Sequence, residues 1–206
     1  PHLFLDRAKP GVIAVNGQGQ RFVNEASSYH HFVEGMVAAH AVPAYLVCET
    51  AFVRRYGLGA IAPQTSDLAP WVEWQYLTVA STLAELAQQL QMPTATLEAS
   101  VARYNEGARR GVDPDFGKGA SVFDRFNGDA HHVPNPCLAP IENGPFCALA
   151  IWPGDAASSA GLATDVHGRV LDEAGHVLAG LYACGNDAAS MMQGRCPGPG
   201  TTLGPA

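Results

Sequence analysis

The clearest periodicity in the chain lies between residues 82 and 111. Leu83, Leu86, Ala87 and Leu90 recur at i, i+3, i+4 and i+7, behind Thr82 and Glu85 spaced as a capping box. After Pro93-Thr94 the apolar positions Leu97, Val101, Tyr104 and Ala108 repeat that spacing until Gly111 ends it. Both stripes predict core-facing helices. The small apolar run 32–41 predicts a third. Residues 11–16 and 21–25 are β-rich and flank Gly17-Gln18-Gly19, which predicts a hairpin. Short buried strands are expected at 44–48 and 146–152, and a meander over 162–181 with turns at His167-Gly168 and Ala174-Gly175. Between them, 61–79 reads as a loop punctuated by prolines and by Trp71, Trp74 and Tyr76. No segment repeats.

Composition narrows the picture. A chain of 206 residues with 47% hydrophobic and 15% charged positions has enough apolar surface to build a core. Its 22 glycines and 15 prolines mark it as loop-rich. A net charge of −7 argues against a nucleic-acid partner, because no basic stripe exists to neutralise phosphates. No apolar run approaches the roughly 18 residues that span a bilayer, so no membrane span is expected. Five cysteines without a C-x-x-C spacing, most of them inside apolar runs, read as buried reduced thiols of a cytoplasmic protein. Cys196 differs, lying between Arg195 and a Pro/Gly loop.

Two stretches carry chemistry. Near the end, Gly180-Leu-Tyr-Ala-Cys-Gly-Asn186 is a short strand running into a turn, and Cys196-Pro-Gly-Pro-Gly-Thr-Thr-Leu-Gly-Pro-Ala206 follows. Glycines at 185, 194, 198, 200 and 204 let backbone N–H groups approach a flat or anionic ligand closely. Near the start, Val15-Asn16 and Gly19 precede Arg21-Phe-Val-Asn-Glu25, with Tyr29 four residues on. Weaker echoes are Asp113-Pro-Asp-Phe116, Asn135-Pro-Cys-Leu-Ala-Pro140 and Gly161-Leu-Ala-Thr-Asp165.

Taken together these motifs resemble the fumarate reductase and 3-ketosteroid dehydrogenase superfamily of FAD enzymes, in its ketosteroid branch. The resemblance implies an α+β fold: a substrate-binding (cap) domain of the succinate dehydrogenase/fumarate reductase flavoprotein type, with terminal strands belonging to an incomplete FAD domain. Residues 1–24 would be linking strands, 25–150 the cap and 151–206 the carboxy-terminal part of the FAD domain. It implies FAD as cofactor, held here by Gly185, Asn186, Thr202 and Leu203. It also implies desaturation beside a ketone, with hydride passing to flavin N5. Tyr29 stands where that branch has its base. A free phenol titrates near about 10, so such a site must stabilise phenolate or relay the proton. Gly200 keeps the backbone N–H that polarises the ketone, an oxyanion-type contact. At the neighbouring position the branch has tyrosine and this chain has Cys196, a weaker and shorter donor.

Two alternatives stand beside this reading. One is a reductase of a small unsaturated acid, in which Glu25 resembles a proton-relay glutamate or is simply a structural ion pair or turn contact, and Arg54, Arg55 or Arg195 faces a carboxylate. The other is a folded cap piece that is silent by itself. A G-x-G-x-x-G turn for the pyrophosphate is absent. The looser match Gly57, Gly59, Ala62 follows Arg54-Arg55-Tyr56 and precedes Pro63, which reads as chance. The Rossmann half is therefore expected to lie elsewhere in the same polypeptide, and unpaired terminal strands make self-association an expectation. The pairs His30-His31 and His131-His132 lack a third ligand at zinc-site spacing, so no metal is expected. Asp113, Asp115, Asp124, Asp129, Asp155 and Asp165 read mostly as turn residues.

Overall fold

The computed structural model describes residues 3, 5–154 and 160–192. Two compact units divide at Pro153 and Gly154.

The first unit is built on four antiparallel strands: β1 (Val12–Val15), β2 (Ala44–Glu49), β3 (Thr78–Ala80) and β4 (Phe146–Ile151), in the order β1-β2-β4-β3. Val12 pairs with Cys48 and Val15 with Tyr45; Ala44 pairs with Ile151 and Cys48 with Cys147. β1, from the 1–24 stretch expected to hold linking strands, is thus an edge strand of this sheet.

The strands read as nearly continuous apolar runs because both faces are covered. On one face Val12, Ala14, Leu46, Leu149 and Ile151 meet Phe32 and Met36 of α1 (Tyr29–Ala38) and Phe52 and Val53 of α2 (Thr50–Tyr56). On the other, Ile13, Val15, Val47 and Ala148 meet Leu86 of α4 (Leu83–Gln89) and Leu97, Val101, Tyr104 and Ala108 of α5 (Thr94–Arg109). Alternate residues of one strand therefore feed two different cores. The result is an α+β unit of three layers.

Local chemistry fixes the predicted helices. Thr82 Oγ1 accepts from Glu85 N–H at 3.1 Å, and Glu85 Oε2 accepts from Ser81 N–H at 3.0 Å. α5 ends where Gly111 turns left-handed at φ 72°. α1 begins three residues before the apolar run, at Tyr29, because Ser28 Oγ accepts from His31 N–H. Three short helices escaped the pattern: α2, α3 (Ala69–Glu73) and α6 (Val122–Asn127). Each is too short to show a period, and in α6 Val122 and Phe126 face solvent. The hairpin is only half formed. Asn16 N–H donates to Gln20 O and Val15 bridges Arg21, but residues 21–25 leave the sheet and turn inward.

Gly107 of α5 is tightly enclosed. A Cβ there would lie 2.4 Å from Val112 O and 3.0 Å from Pro114 Cδ. Ala in place of a helical Gly ordinarily adds about 1 kcal/mol. Here overpacking reverses the sign, and Gly107→Ala is expected to cost about 1–3 kcal/mol. A lower urea midpoint is the expected result; an unchanged or raised one would show that the 112–114 backbone yields freely.

The second unit holds the predicted meander as β5 (Arg169–Leu171) and β6 (Val177–Tyr182), paired antiparallel, with turns at Gly168 and Gly175. Leu162 and Ala160 bridge to Ala188 and Ala189. Among the described residues no helix is long and apolar enough to cross a membrane.

Candidate active site

Residues 21–28 form a loop of the first unit that leads into α1 and is tied down by buried charge. Arg21 sits between two carboxylates. Its Nε and Nη2 donate to Glu25 Oε1 and Oε2 at 3.0 and 2.9 Å, and its Nη1 and Nη2 to Asp113 Oδ1 and Oδ2 at 3.1 and 2.9 Å. The guanidinium lies 5.0 Å from the ring centre of Tyr104 and 5.1 Å from that of Phe116. Lys118 completes the cluster, with Nζ 3.8 Å from Glu25 Oε2 and donating to Val12 O at 2.6 Å. Ala14 N–H donates to Glu25 Oε1 at 3.0 Å.

All four charged side chains are buried. Burial alone would raise the Glu25 carboxyl, but Arg21 and Lys118 hold it below the usual carboxylate range. Asp113 behaves alike: burial opposes and Arg21 prevails. For Lys118, burial outweighs the attraction of Glu25 and lowers the amine.

Both oxygens of Glu25 are engaged in ion pairs and its side chain is fully buried. Asp113 is no mere turn residue, although it also accepts from Asp115 N–H. Asp124 is likewise buried, accepting from Asn24 Nδ2 at 2.9 Å and Gly119 N–H at 3.0 Å. Asp129 and Asp165 do cap turns, accepting from His131 and His167 N–H.

Sequence reasoning missed Lys118 and Arg7. Lys118 sits between Gly117 and Gly119, both at positive φ, in what reads as a surface turn. Asn135 Oδ1 lies where a Cβ on residue 119 would be, 2.3 Å away, so the loop closes only over glycine. Arg7 lies in a 3₁₀ turn, Asp6–Ala8, and is 2% exposed. It donates to the carbonyls of Leu3, Glu25 and Ser27.

Tyr29 follows this braced segment as the first residue of α1, and it is 44% exposed. An exposed tyrosine at the head of a helix, after a segment whose backbone is fixed from below, is the arrangement a positioned proton acceptor needs. Aligned N–H groups at a helix start also favour negative charge nearby.

In the second unit, β6 ends at Tyr182 and leads into Gly185-Asn186-Asp187, a 3₁₀ turn. Gly185 has φ 58° and Asn186 is exposed. Gly161 lets that turn come close: a Cβ there would lie 2.3 Å from Asp187 O. Cys196, Gly200, Thr202 and Leu203, with Arg195 and Asp155, lie outside the described residues.

The other candidates are accounted for locally. Arg55 pairs with Asp129 at 2.8 Å, and Tyr56 donates to the same oxygen at 2.7 Å. Arg54 is exposed in the last turn of α2. Gly57 caps α2, so the Gly57, Gly59, Ala62 match follows a helix where a dinucleotide turn follows a strand. Cys48, Cys137 and Cys147 are buried free thiols, whereas Cys184 is exposed, against the expectation from its apolar flanks. Among the described residues no group of three His, Cys, Asp or Glu could hold a metal.

Residues 2–203 match the family described as FAD binding domain, and the chain belongs to that family. It is 38% identical to a 3-oxosteroid 1-dehydrogenase of Mycolicibacterium smegmatis over 98% of this chain and 37% of that relative. It is 39% identical to a 4-oxocyclohex-2-ene-1-carboxylate 5-dehydrogenase of Sinomonas cyclohexanicum, covering 96% of this chain and 34% of the other. The structure of a 3-ketosteroid delta1-dehydrogenase from Sterolibacterium denitrificans, in complex with 1,4-androstadiene-3,17-dione, superimposes with a TM-score of 0.94. The two share 42% identity, over 98% of this chain and 38% of that one. The chain thus spans under two fifths of the length of each of these three relatives.

The described residues fit the family's cofactor. A left-handed glycine at a strand end, an exposed asparagine and a turn pinned through Gly161 leave backbone accessible to a flat ring.

Proposed function

We propose that this chain is the substrate-facing part of an FAD-dependent dehydrogenase that introduces a carbon–carbon double bond beside the ketone of a 3-ketosteroid. One observation carries the reading: Tyr29, exposed at the head of α1, stands on a loop held by buried charge. In this reading the first unit is the cap domain. The second is the carboxy-terminal part of the FAD domain, whose Rossmann half belongs to the same polypeptide.

Tyr29 accepts the proton from the carbon next to the ketone. The roles of polarising the ketone oxygen and stabilising the charge that develops there fall to Gly200 N–H and Cys196. Gly185, Asn186, Thr202 and Leu203 hold the flavin. FAD, when bound, supplies the acceptor for the hydride leaving the adjacent carbon. The proton and the hydride thus leave from neighbouring carbons, and their bonding electrons remain as the new double bond and on the acceptor respectively.

The relative that acts on a 4-oxocyclohexene carboxylate keeps a ring ketone as its named substrate feature, which supports ketone activation as the common chemistry.

The test is made on the full-length polypeptide. It is expected to purify yellow and to reduce a dye acceptor with 4-androstene-3,17-dione, and not to oxidise a reduced dye with fumarate. A colourless protein that refuses added FAD would sink the proposal, as would turnover of fumarate alone. Cys196→Tyr is expected to raise steroid turnover by about tenfold or more, the scale of one added oxyanion donor. No gain would remove residue 196 from the ketone site.

A further inference from the structure

Arg7 is an odd residue to bury. Its acceptors among the described residues are backbone carbonyls: Nε donates to Leu3 O at 2.8 Å, and Nη1 to Glu25 O at 2.6 Å and Ser27 O at 3.3 Å. Burial lowers its pKa to about 10, with Glu25 and Asp6 opposing that fall. A charge enclosed in this way opposes folding unless it secures something in return.

What it secures is symmetrical about Tyr29. The guanidinium takes the carbonyls of residues 25 and 27, which lead into the tyrosine. It also lies 4.3 Å from the ring centre of Phe32, one helical turn beyond it. Phe32 is buried in the core, so the start of α1 is fixed against the sheet as well. Arg7 is itself held from below, because Asp6 Oδ2 accepts from Gly59 N–H at 2.7 Å. The same loop is closed by Asn24, whose Oδ1 accepts from Ala26 N–H and whose Nδ2 donates to Asp124.

We propose that Arg7 is a positioning residue for Tyr29, one rigid planar fork that holds the backbone leading into the proton acceptor and packs on the ring of Phe32 one helical turn after it. The proposal rests on Tyr29 being that acceptor. A lysine at position 7 would keep the charge and lose the fork, since an ammonium on a flexible stem does not hold two carbonyls and a ring at once. The shape of the fork is therefore what matters, more than its charge.

The experiment uses the FAD-loaded full-length enzyme with 4-androstene-3,17-dione and a dye acceptor, counting active sites by flavin absorbance. Arg7→Lys and Arg7→Gln are compared with Tyr29→Phe. Both Arg7 variants are expected to bind flavin and to lose about a hundredfold in kcat per flavin, with KM within about threefold, as misplacement of a base by an ångström predicts. Variants that lose flavin and activity in proportion, with kcat per flavin intact, would make Arg7 purely structural and overturn the proposal. So would failure of both to fold. If Tyr29→Phe is inactive while both Arg7 variants keep wild-type kcat, positioning fails and the acceptor reading stands. If Tyr29→Phe itself keeps full turnover, the acceptor reading fails and the role of Arg7 falls with it.

Discussion

Tyr29→Phe is expected to lower turnover of a 3-ketosteroid by the full-length enzyme by about 10²–10⁴-fold, the range for loss of a positioned acid–base group. The substitution removes one oxygen and leaves the ring, so the packing at the head of α1 is preserved. Ser28 still caps that helix through His31 N–H, and Arg7 still grips the carbonyls of Glu25 and Ser27. Flavin absorbance and KM should therefore change little, and the loss should fall on kcat. The measurement is steady-state kinetics with a dye acceptor across pH. A kcat within tenfold of wild type would show that the proton leaves by another route.

The largest effect on stability is expected from Glu25→Gln. The side chain keeps its shape and loses its charge, leaving Arg21 and Lys118 buried with Asp113 as the remaining anion of the cluster. Breaking one member out of a buried charge cluster costs about 3–5 kcal/mol. In a second variant, Lys118→Met is added, so that one cation again faces one anion. Much of the loss should then return, and the two changes should be non-additive by about 0.5–3 kcal/mol. Urea unfolding of the single and double variants measures this. Additive losses would show that the four groups do not act as a unit.

The same cluster sets the response to acid. The folded-state values of Glu25 and Asp113 lie below those of free carboxylates. Their stabilisation is complete above the unfolded values, near about 4, and is lost as pH falls through the depressed folded values. Wild-type stability should be flat from neutral pH downward until that point and then drop, and Glu25→Gln should show a shallower acid limb.

The division between sequence and structure follows the range of the forces involved. The two helices of 82–111 were legible because a capping box, an apolar stripe and a terminating glycine all act within a few residues, and Leu86, Leu97, Val101, Tyr104 and Ala108 are buried as that stripe predicts. The strands at 44–49 and 146–151 and the turns at Gly168 and Gly175 were legible for the same reason. The motifs at 21–29 and 180–186 likewise named a flavoprotein family that the comparisons bear out. Short α2, α3 and α6 left no period to read.

The tertiary structure decided what the polar residues do. Arg7 in Asp-Arg-Ala-Lys and Lys118 between two glycines look like surface positions by every local criterion. They enter the interior because Glu25, Asp113 and the carbonyls of 12, 25 and 27 converge there from three separate stretches of chain. Glu25 became a buried anchor, and Asp113 and Asp124 more than turn formers, for the same reason. Covalent neighbours set which segments become helix or strand. Which charges face one another, and so which loop is rigid enough to carry Tyr29, depends on contacts up to 106 residues apart, and those exist only once the chain has folded.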